Sequence, residues 1–100
     1  MQTNLIREMS ERYPKVLQEF AEYITGKNKL LRESCFCNWE NFFEENKVII
    51  NCSYDSIIKK GIFEIRHNDI TYYEHNFFSK NEAKYQSILK ASKILKEKTI

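Results

Sequence analysis

KVIINCSYDSIIKKGIFEIRHNDITYYEHNF, residues Lys47 to Phe77, is the stretch that decides the fold of this chain. Its β-branched and aromatic runs read as three strands, and Asn68-Asp69 between two of those runs is a hairpin signal. With these two residues as the loop, counting outward sets the register. His67 faces Ile70, Arg66 faces Thr71, Ile65 faces Tyr72, Glu64 faces Tyr73, Phe63 faces Glu74 and Ile62 faces His75. Side chains alternate across a strand, so Phe63, Ile65, His67, Ile70, Tyr72 and Glu74 share one face. Ile62, Glu64, Arg66, Thr71, Tyr73 and His75 share the other. The first set is the more apolar and is expected to look into the core, joined by Val48, Ile50, Cys52 and Tyr54 of the first strand. A slip of one residue would exchange the two faces.

Helical patterns flank this stretch and need it as a packing surface. Thr3 is the expected N-cap of a first segment that Pro14 interrupts, because proline removes a backbone donor and clashes one turn back. The helix is therefore expected to break near Tyr13, with Pro14 in the first turn of a second segment. There Val16, Leu17, Phe20, Tyr23 and Ile24 recur at helical spacing, and Gly26 supplies a stop. Cys35–Cys37 reads as a short edge strand, and Asn38 as the N-cap of a two-turn helix, WENFFEE, that Asn46 ends in the left-handed conformation. Trp39, Phe42 and Phe43 on one side of that helix are expected to plug one end of the core. After the sheet, Ser79-Lys80-Asn81-Glu82 has the form of a capping box. It opens a helix with Tyr85, Ile88, Leu89, Ala91, Ser92 and Leu95 on its inner arc and Glu82, Gln86, Lys90, Lys93 and Glu97 on its outer one. The fold class that follows is α+β in a single domain of residues 1–100. A three- to four-stranded antiparallel sheet is flanked by a broken N-terminal helix, a short aromatic helix and a C-terminal amphipathic helix.

Composition narrows the function classes. The chain is 42% hydrophobic and only 30% charged, with both signs mixed, which suits a packed core rather than a disordered tail. No apolar run reaches the roughly 18 residues of a membrane span and no charged-then-apolar leader stands at the front, so a cytoplasmic location is expected. Three cysteines, an odd number, read as reduced thiols. The net charge of +2 does not by itself call for nucleic acid. Its distribution is uneven, since residues 80–100 hold six Lys against two Glu. Lysines near a helix C-terminus complement its dipole, and the same lysines could form a basic stripe.

Chemistry-bearing groupings are few. Cys35, Cys37, Cys52, His67 and His75 offer zinc-type ligands, but Cys-x-Cys falls outside the usual pairing and the rest stand singly, so no metal and no cofactor are expected. Cys52 and His67 could share a sheet face as nucleophile and base, yet no glycine-rich elbow or oxyanion device accompanies them. Glu40, Glu44 and Glu45 read as a solvated helix face. No catalytic residue is assigned. The set that suits binding is Glu64, Arg66, Tyr73 and His75 on one sheet face, since Tyr, Arg and His are common in interaction patches. Lys90 and Lys93 on the last helix form the second candidate.

The stretches CFCNWENFFEENKVII (Cys35–Ile50) and FFSKNEAKYQSILKASKILK (Phe77–Lys96) carry a resemblance to small uncharacterised proteins of phages and mobile elements in Bacteroidetes-type bacteria. Those proteins combine a short aromatic helix, a strand meander and a closing helix with an Ala-rich inner face. Lys47 stands where they usually carry glycine after the aromatic helix, and the N-terminal helical segment has no counterpart among them. The resemblance implies a phage-type accessory protein, a class that includes anti-CRISPR inhibitors of RNA-guided nucleases. The expectation is a non-enzymatic protein-binding module that blocks a host defence protein such as an RNA-guided nuclease complex. The alternative is a small nucleic-acid-binding protein using the basic C-terminal helix.

Overall fold

The computed structural model describes residues 2–31 and 34–98. Its element order is α1 (Gln2–Arg12), α2 (Pro14–Thr25), α3 (Phe36–Glu45), β1 (Ile49–Asp55), β2 (Lys60–His67), β3 (Ile70–Phe77) and α4 (Lys80–Lys98). The strands form one antiparallel meander in the order β1-β2-β3, so the α+β class holds with three strands. Both loop residues of the β2–β3 hairpin are left-handed, Asn68 at φ 50° and Asp69 at φ 66°. That twist suits the strands on either side, and the register counted from the sequence is the one observed.

All four helices lie on one side of the sheet or at its rim, and α4 packs chiefly on β2 and β1. Its close approach depends on small residues. A Cβ on Gly61 would lie 2.2 Å from the Ser79 carbonyl oxygen and 3.2 Å from the Ala83 Cβ. One turn further along α4, Ser87 meets the half-buried Cys52, Sγ to Oγ 3.4 Å. The opposite side of α4 is also buried, because α1 packs there. The Ser92 hydroxyl lies 3.3 Å from the Met9 sulfur, and Tyr85 donates to Glu8 at 2.6 Å. The buried arc is therefore wider than the amphipathic pattern suggested, taking in Ala83, Ser87 and Ile94 as well.

Helix boundaries follow local chemistry, with several departures from expectation. The break at Tyr13 is present, at φ −137° and ψ 58°, with Pro14 opening α2. Thr3 falls inside α1, which begins at Gln2. Gly26 stays right-handed at φ −62°. The left-handed residue is Asn28, φ 61°, and the Lys29 N–H reaches the Ile24 carbonyl and the Asn28 N–H that of Thr25, the bonding of a Schellman end. The N-cap of α3 lies three residues before the expected Asn38. Cys35 is its N-cap and Asn38 reaches back, its Oδ1 accepting from the Cys35 N–H at 2.8 Å, so Cys35–Cys37 is no edge strand. Asparagine caps a helix from either position, and burial of the aromatic face outweighed the strand propensity of Cys-Phe-Cys.

At the other end of α3 the left-handed place belongs to Lys47, φ 68°, rather than to Asn46. The Val48 N–H bonds to the Phe43 carbonyl at 2.9 Å, and both side chains are fully buried. Phe20 of α2 stacks on Trp39 with ring centroids 3.6 Å apart, and Phe42 meets Phe20 edge-on at 5.4 Å. This aromatic knot closes one end of the core, as the sequence led us to expect. The Cys35 and Cys37 sulfurs are paired as a disulfide and Cys52 is free, which corrects the reading of three reduced thiols.

A candidate protein-interaction surface

With the helices gathered on one side, the other face of the sheet is covered by no element among the described residues. The register turns it into three rows across the strands: Ile49, Arg66 and Thr71; Asn51, Glu64 and Tyr73; Ser53, Ile62 and His75. Seven of these nine side chains are exposed, and only Ile62 and Glu64 of the central strand are half-buried. Tyr73 is 57% exposed, its ring 5.8 Å from that of His75. The four residues singled out from the sequence, Glu64, Arg66, Tyr73 and His75, thus do share one surface. Its chemistry is mixed, with one acid, one base, a phenol, an imidazole, two isoleucines and small polar groups.

At the lower end of this face the chain exposes a second feature. β1 ends and β2 begins there, and β3 runs out beside Gly61. Asp55 accepts from the Ile57 and Ile58 N–H groups at 2.9 and 3.3 Å, and this turn holds both isoleucines outward. Ile57 is 90% exposed, and Phe78, at the same end of the sheet, is 88% exposed. Reading the sequence missed these residues. The available signal was two isoleucines between Asp-Ser and Lys-Lys, a turn composition that leaves β-branched apolar side chains without a core to enter.

Of the lysines of α4, Lys93 is exposed beside Lys90 along one cleft, and three others lie over aromatic rings. Lys84 lies over the Phe36 ring at 5.1 Å, Lys90 over Tyr72 at 5.0 Å and Lys96 over Tyr13 at 5.7 Å. The three rings lie in α3, in β3 and at the α1–α2 break, so these three ammonium groups point to different parts of the chain. Lys90 sits on the helix side of the sheet, opposite the open face. The two candidate groups therefore belong to two separate surfaces.

Groups with reactive chemistry are held in structural roles. The His67 ring is buried, its Nδ1 facing the Lys47 carbonyl at 3.1 Å and its Nε2 facing the Asn68 amide at 3.1 Å. Cys52 pairs with Phe63, four positions from His67 along β2, which puts the thiol and imidazole on the order of 13 Å apart. Burial pushes the Cys52 thiol pKa up, the opposite of what an activated nucleophile needs. Burial likewise raises Glu40, against the pull of Lys84. Between α1 and α4, burial and the bond to Glu8 push the Tyr85 hydroxyl up to about 12. The same bond, together with Arg12 at 2.7 Å, holds the Glu8 carboxyl below its ordinary range. No group of three or more His, Cys, Asp or Glu among the described residues is placed to hold a metal ion, and no helix there is long and apolar enough to cross a membrane. No protein-family model, curated protein or solved structure matches this chain.

Proposed function

We propose that the protein is a non-enzymatic binding module that docks a protein partner on the open face of its sheet. The observation that carries this reading is the uncovered three-by-three surface with exposed Tyr73, His75 and Arg66, continued at its end by Ile57 and Phe78. An exposed aromatic flanked by an arginine, with large apolar side chains standing nearly free in water, is the chemistry of interface anchors. Such side chains gain by leaving water, on the order of 1.5–3 kcal/mol each when fully buried. Glu64 within the surface disfavours a phosphate backbone, and the engaged lysines of α4 weigh against a basic stripe. The resemblance to phage and mobile-element proteins supplies the class of partner. It would be a host defence protein, with an RNA-guided nuclease complex as the first case to test.

The test is capture of a purified RNA-guided nuclease complex, with and without nuclease treatment, by four forms of the protein. Capture that resists nuclease, is lost in Tyr73→Ala/His75→Ala and in Phe78→Ala, and survives in Lys90→Ala/Lys93→Ala supports the open face. Retention of nucleic acid alone, lost with the lysine pair and falling steeply with salt, would replace this reading with nucleic-acid binding through α4.

A further inference from the structure

We propose that the protein forms a symmetric dimer in which the β3 strands of two copies pair antiparallel about Tyr73, giving a continuous six-stranded sheet. The inference stands apart from the identity of any partner. It starts from the free edge of the sheet. β1 is the other edge, and α3 packs against it. Among the described residues there is no strand beyond β3 and none that hydrogen-bonds to its outer backbone.

The two-residue loop makes His67 and Ile70 a hydrogen-bonded pair, so alternation along the ladder points the Ile70, Tyr72 and Glu74 backbone groups toward β2. The N–H and C=O groups of Thr71, Tyr73 and His75 then point away from the sheet. Three consecutive outward residues are a template for another strand. The bulge at Asn76, φ 87°, ends the template beyond His75.

A second copy is the occupant that the charges favour. On the helix side of β3, Lys90 lies over the Tyr72 ring and Glu74 is exposed. Neither belongs to an ion pair within the chain, where Arg12–Glu8 is the one such pair among the described residues. When two copies pair with Tyr73 opposite Tyr73, Tyr72 of each faces Glu74 of the other. Lys90 then comes beside that carboxylate, twice, by symmetry. A shift one way sets Tyr72 opposite Tyr72 and brings the two Lys90 ammonium groups together. A shift the other way sets Glu74 opposite Glu74. Both oppose like charges, so the electrostatics choose the register centred on Tyr73. α4 packs chiefly over β2 and β1 and touches β3 less, and on the helix side of this edge Glu74 shares an open cleft with Arg12, Tyr13, Lys90 and Lys93. On the open side the two interaction surfaces would join into one, with the Tyr73 rings at its centre.

Sedimentation equilibrium of the full chain across micromolar to millimolar concentration tests the dimer. The wild type is expected to dimerise, and Thr71→Pro to remain monomeric with its circular dichroism intact. Proline at an outward-facing edge position removes no bond of the β2–β3 ladder. Glu74→Lys alone should weaken dimerisation about tenfold, and adding Lys90→Glu should restore it. Oxidised Tyr73→Cys should cross-link into a covalent dimer while Glu74→Cys and the wild type do not, since directly opposed strand residues lie about 5.5 Å apart. A wild type monomeric to millimolar concentration, or a Thr71→Pro variant that dimerises as tightly, would overturn the proposal. Should Thr71→Pro fail to fold, the contrast between the two cysteine variants decides it. These readouts need no partner, so their failure leaves the open-face reading standing, and capture that survives Tyr73→Ala/His75→Ala would end the open-face reading while leaving the dimer standing.

Discussion

The two faces of the β-sheet are built from the same three strands and differ in almost every other respect. The helix side presents Ile50, Phe63 and Ile65, all buried, and it takes α4 so closely that Gly61 has no room for a side chain. The open side presents Arg66, Thr71, Tyr73 and His75 to solvent. Substitution on the first should cost stability and leave binding to follow the fold. On the second it should cost binding and leave the fold alone. A domain of 100 residues has stability on the order of 5–15 kcal/mol, so one face can hold it together while the other stays free for recognition.

The sharpest way to break this contrast is to truncate one aromatic on each side. Phe63→Ala empties a fully buried site, where its ring lies 5.4 Å from that of Phe77, and should cost roughly 3–5 kcal/mol in urea unfolding. Tyr73→Ala should stay within about 0.5 kcal/mol of the wild type. Similar losses for the two would mean that the open face is not free. Gly61→Ala comes next, at about 2–3 kcal/mol, because the added methyl meets backbone rather than a side chain that can swing aside.

A smaller effect is expected where α1 joins α4. Tyr85→Phe removes the donor to Glu8 and should cost about 1 kcal/mol near neutral pH. Tyr85 must be neutral to donate, and its pKa is raised in the fold from 10.0 to about 12. Its contribution is therefore fully present below about pH 10 and lost as pH rises toward 12. Glu8 acts with the opposite sign, its lowered pKa giving stability above the ordinary carboxylate range that disappears on acidification. Wild type and Tyr85→Phe should thus converge in stability at both ends of a pH series, and parallel curves would count against the linkage. The smallest change is a gain. Lys47→Gly relieves a left-handed backbone at φ 68° and should raise stability by roughly 0.5–1 kcal/mol, with the open face unaffected.

The hairpin shows why so much of the sheet was legible. A two-residue loop and strict alternation leave one register that buries Phe63 and Ile65 together, and local chemistry suffices to find it. The helix ends show the limit. Gly26, Asn38 and Asn46 were each assigned from capping preferences, and in each case the structure moved the role by one to three residues, to Asn28, Cys35 and Lys47. Capping energies of about 1 kcal/mol are small beside the burial of Trp39, Phe42 and Phe43, so packing decides where the helix begins and ends. The binding candidates on the sheet were found through the same alternation, whereas Ile57 and Phe78 lie in segments with no period to read.

By itself, then, the sequence determined the α+β class, the strand register, the break at Tyr13 and the membership of the two sheet faces, all of which follow from nearest-neighbour chemistry and periodicity. The tertiary structure alone decided that the more polar sheet face stayed uncovered, because that depends on where the helices find room. It also decided that Lys84, Lys90 and Lys96 go to three separate rings and that Gly61 sits beneath Ser79 and Ala83. These are contacts between residues far apart in the chain, set by how whole elements pack, and no local pattern encodes them.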